Sequence, residues 1–153
     1  MKIKNEVSAG GIVYKKIVLN SKTDRLWLVC QHSQHKGWVF PKGLVGDKKA
    51  DESMEEAALR EVEEEGGVKT KIVGHQPIKV QYMYRFQNYL VKKTVYYFLM
   101  EYLSGDPKNH DWEVSEAKFI TEDAVKKILT YPSDKEAFNK ILTFLKKINN
   151  HIH

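Results

Sequence analysis

Strand-like patterns of hydrophobic and polar positions occupy most of the chain. The stretches SAGGIVYKK and LWLVC are rich in β-branched and apolar residues, and SKTDR between them is typical of a turn. Two later stretches, VQYMYRFQNYL and KKTVYYFLMEYL, are dominated by aromatic and β-branched residues at strand-like lengths. Short strands are expected at WVF and at AKFI. The pattern therefore predicts that a β-sheet forms the centre of the fold.

Apolar residues follow helical spacing near the C-terminus. The segments EDAVKKIL and SDKEAFNKILTFLKKI are each predicted to form a helix. In the second, Ser133 and Glu136 match a capping box, so the helix is expected to begin there. Its core-facing stripe consists of five apolar residues: Phe138, Ile141, Leu142, Leu145 and Ile148.

A third helix is predicted between the two groups of strands, in the segment SMEEAALREVEEEGG. Ser53 and Glu56 form another capping box, which places the start of this helix at Ser53. Gly66 and Gly67 supply the left-handed C-cap. The stripe that holds this helix against the sheet consists of three apolar residues: Ala58, Leu59 and Val62.

Length and composition favour one globular domain. The chain has 153 residues, of which 42% are hydrophobic and 29% charged, and we expect a single domain over residues 1–153. No apolar run approaches the roughly 20 residues that a membrane span needs, and the N-terminus lacks the apolar segment of a secretory signal. A soluble, cytosolic protein without a membrane partner is expected. The single cysteine, Cys30, lies in a strand-like run and is interpreted as a buried structural thiol.

Charge is distributed unevenly along the chain. The segment from Gly46 to Val68 holds nine acidic and three basic residues, a net charge of −6, whereas the whole chain carries +5, so the rest of the chain carries the difference of +11. An acidic segment within a basic protein suits an anionic ligand that is handled through a cation. The alternative is a solvated acidic helix on a protein with a lysine-rich surface.

Three glutamates of the acidic helix lie on one helical face. Glu61, Glu64 and Glu65 stand at positions i, i+3 and i+4, where like charges repel one another. A hard divalent cation reverses that effect, and oxygen ligands without cysteine or histidine favour Mg²⁺ or Mn²⁺ over zinc. Arg60 lies four residues from both Glu56 and Glu64, and it can orient either carboxylate.

The spacing of these residues resembles the Nudix box. Gly46-x5-Glu52-x7-Arg60-Glu61-Val62-x-Glu64-Glu65-x-Gly67-Val68 meets each of its nine specified positions over 23 residues. Together with SAGGIVY and WVFPKG before it, the box is similar to that of Mg²⁺-dependent hydrolases that cleave a nucleoside diphosphate linked to another group. This resemblance implies an α/β fold, the Nudix α/β/α sandwich around a mixed sheet.

The first glycine of the box has two candidates. Family members with a PKG lead-in use the glycine of that tripeptide, here Gly43, but its distance to Glu52 is three residues too long, whereas Gly46 restores the count. Either LVGDKKAD contains a three-residue insertion and Gly43 keeps the role, or Gly46 has taken it. In the family this glycine provides a carbonyl ligand to the metal.

The resemblance also implies the roles of the acidic residues. Glu61, Glu64 and Glu65 would hold two or three Mg²⁺ or Mn²⁺ ions, with Glu52 in support and Arg60 in the catalytic centre. Glu61 is our choice for the carboxylate that takes the proton from water, against an acid outside the box. A further ligand is expected from the loop DWEVSEAKF, with Glu113 preferred to Glu116.

The substrate is predicted from the lead-in and from the strands after the box. FPKG, KTVYYFL and the nearby tyrosines resemble the diadenosine tetraphosphate hydrolase branch of the family. Phosphate contacts are expected from Lys42, Lys93 and Arg85, and base contacts from tyrosines, which otherwise are half-buried packing residues. The candidate tyrosines are Tyr82, Tyr84 and Tyr97.

Three functions are compatible with the sequence. The first is hydrolysis of diadenosine tetraphosphate to ATP and AMP. The second keeps the hydrolase chemistry but changes the substrate to a diphosphoinositol polyphosphate, a nucleoside triphosphate or the 5′ end of an RNA. The third is a Nudix domain that binds a nucleotide or RNA without cleaving it, which the complete set of box glutamates disfavours.

Overall fold

The sheet of this protein has eight strands, as seen in a computed structural model that describes residues 1–46, 50–74 and 76–152, with side chains through residue 148. The strands are β1 (Lys2–Leu19), β2 (Lys22–His32), β3 (Trp38–Val39), β4 (Lys42–Leu44), β5 (Val68–Ile72), β6 (Ile78–Phe86), β7 (Tyr89–Gly105) and β8 (Val114–Ile120). The helices are α1 (Met54–Gly66), α2 (Glu122–Ile128) and α3 (Pro132–Ile152), and a short 3₁₀ helix covers Pro107–Asn109.

The two long strands lie at the centre of the sheet. Strand β1 pairs in parallel with β7, and the other strand pairs are antiparallel, so the sheet is mixed. The main order is β3-β2-β1-β7-β5, with β4 paired to β1, β6 to β7 and β8 to β2. The short strand β4 follows Pro41 and pairs with Ser8, Ala9 and Gly10 of β1, directly before the predicted acidic helix.

Each face of the sheet carries its own hydrophobic core. Strand residues alternate between the two faces, so Ala9 and Val13 pack with Val62 of α1, whereas Ile12 packs with Phe138 of α3. Helix α2 contributes Val125 to the same side as α3. One helix therefore covers one face and two helices cover the other, which confirms the predicted α/β/α sandwich with a mixed sheet.

Helix α1 begins and ends as predicted. The Ser53 side chain accepts a hydrogen bond from the Glu56 backbone N–H at 3.1 Å, as a capping box requires. Gly67 ends the helix with a left-handed φ of 73°, and its N–H donates to the Glu63 carbonyl. The capping residues thus predicted where the acidic helix begins and ends.

Helix α3 begins earlier than predicted. It starts at Pro132, and the N–H of Lys135 donates to the carbonyl of Tyr131, so Ser133 lies inside the first turn and the predicted cap at Ser133 is wrong. Proline suits the first helical position because its fixed φ is already helical and its missing N–H has no intrahelical partner there.

Cys30 and the helices agree with two further predictions. The Cys30 side chain is fully buried, and burial raises the pKa of its thiol well above the usual value, as expected for a structural residue. No helix within the described part of the chain is long and apolar enough to cross a membrane.

Candidate active site

The acidic helix turns two of its carboxylates toward the sheet. Glu61 and Glu65 are only 4% and 7% exposed, whereas the Glu64 side chain is 31% exposed. Ala58 and Val62 on the same helix pack in the core and so fix this orientation. Burial of two neighbouring carboxylates costs free energy unless positive charge or hydrogen bonds compensate it.

Gly43 is the glycine that lies against this cluster. It pairs with Ala9 across β4 and β1, and a Cβ atom built on Gly43 would overlap with the carboxylate of Glu61. Gly46 lies in the turn after β4 with a left-handed φ of 83°. Of the two candidates for the first box position, Gly43 is therefore the one beside Glu61. The remainder of the predicted insertion, Asp47, Lys48 and Lys49, lies outside the described residues.

Arg60 joins three of the glutamates. Its Nε and Nη2 atoms donate to the Glu52 carboxylate at 2.6 and 2.8 Å, a two-pronged bond that anchors the guanidinium. Its Nη1 donates to Glu61 at 2.9 Å and to Glu64 at 3.2 Å. The hydrogen bond with Glu52, above all, raises the pKa of Arg60. Arg60 thus holds the rotamers of Glu61 and Glu64, and Glu52 supports Arg60.

Glu65 has a different partner. Its Oε2 accepts a hydrogen bond from the backbone N–H of Lys42 at 2.9 Å, which connects α1 to β4. Burial raises the pKa of Glu65 to about 8, and the bond and charge of Lys42 compensate only part of that cost. Glu65 is therefore a carboxylate that a nearby cation would stabilise in its charged form.

The residues of this cluster fit a hard divalent cation by their chemistry. Their donors are carboxylate oxygens, and a nearby positive charge would favour the charged form of the buried Glu65. Within the described part of the chain, no three His, Cys, Asp or Glu side chains are grouped closely enough to hold a metal ion as they stand. Glu61 and Glu64 each accept a hydrogen bond from Arg60 through one carboxylate oxygen, and this oxygen would turn from Arg60 to bind a cation.

The loop before β8 brings one further acid toward the cluster. The backbone N–H of Asp111 donates to the Glu64 carbonyl at 2.8 Å, and the nearby charge of Glu113 contributes to the raised pKa of Glu65. Glu116 is exposed and forms an ion pair with Lys118 at 3.3 Å. The structure therefore brings Glu113, and not Glu116, near the carboxylates of α1.

The predicted phosphate and base contacts lie on the sheet face that α3 covers. Lys93 pairs with Glu6 on β1 and with Tyr82 on β6, and paired residues share one face of a sheet. Tyr84 lies two residues beyond Tyr82 on that face, and its hydroxyl donates to Glu6 at 3.0 Å. Burial and the charge of Lys42 lower the pKa of Lys93.

Two of the predicted substrate contacts need correction. Tyr97 is fully buried, and its hydroxyl donates to Asp134 at 2.6 Å, so its ring is not accessible to a nucleobase. Arg85 lies between Tyr84 and Phe86 on β6, where alternation directs its side chain to the opposite face from Tyr84. Strand position alone did not distinguish a buried tyrosine from an exposed one.

Sequence reasoning missed a group of residues around the start of α3. Asp134 is 3% exposed, and Tyr131 just before the helix is 38% exposed. The Tyr131 hydroxyl lies 3.0 Å from Nδ1 of His35, whose ring stacks on that of His32 at 4.1 Å. These residues come together only through tertiary packing. A lone aspartate in the first turn of a helix gave no signal beyond helix capping.

Comparisons with known proteins agree with this architecture. A family model described as NUDIX domain matches residues 16–141. The putative mutator protein MutT4 of Mycobacterium tuberculosis is 27% identical over 138 residues, which cover 88% of this chain and 54% of that protein. Nudix hydrolase 6 of Arabidopsis thaliana is 38% identical over 109 residues, or 67% of this chain and 36% of that protein. The chain thus spans about half, or less, of the length of these relatives.

A solved structure is also similar in fold. The binary complex of an Ap4A hydrolase from C. elegans superposes with a TM-score of 0.74 at 24% identity, covering 93% of this chain and 98% of the other. Ap4A is diadenosine tetraphosphate. At this identity, the similarity extends to the arrangement of strands and helices.

Proposed function

Because the chain belongs to the Nudix family, we propose that it is a metal-dependent hydrolase that cleaves a phosphoanhydride bond, with diadenosine tetraphosphate as its substrate and ATP and AMP as products. Nudix hydrolases generally use divalent metal ions. The observation that carries the proposal is the buried pair Glu61 and Glu65 beside Gly43, oriented from behind by Arg60 and Lys42. A surface helix without such a function has no need to bury carboxylates.

Glu61, Glu64 and Glu65 are the proposed metal ligands, with the Gly43 carbonyl and Glu113 completing the set. Roughly two or three Mg²⁺ or Mn²⁺ ions bound there would neutralise the charge of the phosphoryl oxygens and lower the pKa of water. Arg60 keeps its two-pronged contact with Glu52 while Glu61 and Glu64 turn toward the ions. The guanidinium thereby remains a fixed support behind the ligands.

In the proposed reaction, water attacks one phosphorus atom of the tetraphosphate in line with the bridging oxygen. The bond between that phosphorus and the bridging oxygen breaks, and the bridging oxygen leaves with the other fragment. We assign the proton of the attacking water to Glu61, since its carboxylate is buried beside Gly43. The atoms balance as one water consumed, with AMP and ATP formed.

Substrate recognition is assigned to the face that holds Lys93, Tyr82 and Tyr84. Lys42 and Lys93 would meet the phosphates, and their mutual proximity, which contributes to the lowered pKa of Lys93, favours a bound polyanion. The rings of Tyr82 and Tyr84 lie 6.2 Å apart, and Tyr84 is 38% exposed, so a nucleobase can reach it. The C. elegans enzyme of similar fold is named for the same substrate.

A comparison of substrates tests this proposal. The protein is incubated with Mg²⁺ and with diadenosine tetraphosphate, GTP, ADP-ribose, a 5′-triphosphorylated RNA or a diphosphoinositol polyphosphate, and products are identified by chromatography. We expect ATP and AMP from the first, with a kcat/KM at least about tenfold above the others. A faster reaction with another substrate would keep the metal site and overturn the substrate. Binding without turnover of any of them would favour a non-catalytic Nudix domain.

A further inference from the structure

Asp134 is a buried acid that the proposed reaction does not use. Among the described residues, the acids classed as buried are Glu61 and Glu65 of α1 and Asp134 of α3. The Asp134 Oδ1 accepts a hydrogen bond from the hydroxyl of the fully buried Tyr97 at 2.6 Å. A short bond of this kind to a carboxylate holds it in one orientation. Asp134 therefore points from the start of α3 into the sheet.

The strand register places Lys42 beside this pair. Gly10 of β1 pairs with Lys42 on β4 and with Tyr97 on β7, so the three residues form one row across the sheet and share one face. Gly10 has no side chain, so Lys42 packs closely against it. A Cβ atom at Gly10 would lie 2.6 Å from the Cβ of Lys42, closer than any side chain tolerates. Through its hydrogen bond with Tyr97, the carboxylate of Asp134 thus lies beside this row of residues.

Aromatic rings pack around the pair of Asp134 and Tyr97. The ring of Phe40 contacts both Tyr97 and Phe138, with centroid distances of 5.8 Å to each. Phe138 lies one helical turn after Asp134 on α3, so the aromatic contacts fix the helix and the tyrosine together. Asp134 consequently has little freedom to move away from Tyr97.

A hydrogen bond fixes the backbone of Lys42, and neighbouring charges act on its ammonium group. Its N–H donates to Glu65, which fixes the start of β4 relative to the metal-binding helix. Burial is the largest single influence on the pKa of the Lys42 ammonium and lowers it, but Asp134 and, to a smaller extent, Tyr82, Glu65 and Tyr131 together raise it. No direct ion pair joins Lys42 and Asp134 among the described contacts, so the ammonium keeps its donors for another ligand.

We propose that Asp134 is a positioning residue that directs the Lys42 ammonium toward a substrate phosphate, with the Tyr97 hydroxyl fixing the carboxylate in place. This inference rests on the proposed function, since it requires Lys42 to bind phosphate. It connects the C-terminal helix to substrate affinity without assigning Asp134 any contact with the reacting atoms.

The test compares Asp134→Asn with a matched control, Asp123→Asn, an exposed aspartate in the first turn of α2. Asparagine keeps an oxygen to accept the Tyr97 hydrogen bond but removes the charge. We expect KM for diadenosine tetraphosphate to rise about fivefold or more, with kcat within about twofold of wild type. The dissociation constant for inorganic tripolyphosphate, measured by calorimetry without metal, should rise by the same factor. The control should change neither quantity.

The sign of the change in tripolyphosphate affinity distinguishes a positioning role of Asp134 from a simple effect of its charge. Loss of a negative charge near a phosphate site would by itself strengthen binding of an anion. Unchanged or tighter tripolyphosphate binding by Asp134→Asn would therefore overturn the inference. In a Lys42→Met background, Asp134→Asn should have no further effect on KM, because the residue through which Asp134 acts is gone.

A second variant covers the case in which Asp134→Asn fails to fold. Tyr97→Phe keeps the ring and the charge of Asp134 but removes the hydroxyl, and we expect KM and the tripolyphosphate dissociation constant to rise together, by less than in Asp134→Asn. Normal values would overturn the inference. If the wild type hydrolyses diadenosine tetraphosphate but Asp134→Asn and Tyr97→Phe bind and turn it over like the wild type, the proposed function stands and the inference about Asp134 falls. If the wild type neither binds tripolyphosphate nor turns over substrate, both fall.

Discussion

Single residues define the proposed metal-binding cluster, where displacements of about 1 Å matter. Glu61 lies in a space that exists because Gly43 has no side chain, and its carboxylate is bonded to Arg60 at 2.9 Å. Such placement matters because a misplacement of about 1 Å can cost roughly 100-fold in rate. Measured rates of hydrolysis can therefore decide whether Gly43 or Gly46 is the first glycine of the box.

Gly43→Ala and Gly46→Ala form a matched pair of substitutions. We expect Gly43→Ala to lower the Mg²⁺-dependent kcat about 100-fold, because its Cβ displaces the Glu61 carboxylate. Gly46→Ala should leave kcat within about twofold and lower the free energy of unfolding by about 1–2 kcal/mol, the cost of alanine at a φ of 83°. Steady-state kinetics and urea unfolding measure both quantities. The reverse pattern would assign the ligand role to Gly46.

The placement of residues on the helix could be predicted, whereas that of residues on the strands could not. Local spacing put Glu64 within reach of both Arg60 and Glu61, because residues at i+3 and i+4 are neighbours on a helix. Tyr97 was misjudged, since β-strand alternation does not say which face another element covers. Asp134 could not be found from sequence because its partner lies 37 positions away.

At the scale of elements, the end of α1 organises the loop that brings Glu113 to the cluster. Gly67 ends the helix in a left-handed conformation, and the carbonyl of Asp106 lies directly against its Cα. The Asp111 N–H then donates to the Glu64 carbonyl at 2.8 Å. The C-terminus of α1 and the 3₁₀ segment Pro107–Asn109 therefore form one packed unit.

Gly67→Ala tests this packing against Gly74→Ala as a control. Both glycines have a positive φ, 73° and 85°, but a Cβ at Gly67 would lie 2.6 Å from the Asp106 carbonyl oxygen, whereas one at Gly74 would meet, among the described residues, the ring of Phe144 at 3.8 Å. Gly74→Ala should lower the free energy of unfolding by about 1–2 kcal/mol, and Gly67→Ala by about 2–5 kcal/mol. Urea denaturation provides the values. Equal losses would show that the contact with Asp106 contributes nothing.

The elements themselves were predicted well where local signals agreed. Capping residues and helical spacing located α1 because both signals are encoded within a few residues. The start of α3 was missed since Pro132 and Ser133 are both acceptable near a helix start, and packing of Asp134 against Tyr97 favours the earlier one. A mixed sheet was expected only from the family resemblance, because its parallel pair, β1 with β7, joins distant segments.

At the scale of the whole molecule, the proposed metal site and the proposed substrate contacts lie on different faces of the sheet. Helix α1 and Gly43 hold the acidic cluster on one face, and Lys42, Lys93 and Tyr82 lie on the other face beside α3. The short strand β4 connects them, because consecutive residues Lys42 and Gly43 point to opposite faces.

The most direct test of the account measures hydrolysis of diadenosine tetraphosphate by the wild type, Glu64→Gln and Glu63→Gln, with Mg²⁺ and with EDTA. Glu63 is the matched control, since its side chain is 53% exposed on the same helix and its nearest basic partner, Lys69, is 4.0 Å away. We predict that EDTA abolishes turnover, that Glu64→Gln lowers kcat by about 10²–10⁴-fold, and that Glu63→Gln retains it. Turnover that persists in EDTA, or equal rates in all three proteins, would contradict the assignment of the glutamate cluster as a catalytic metal centre.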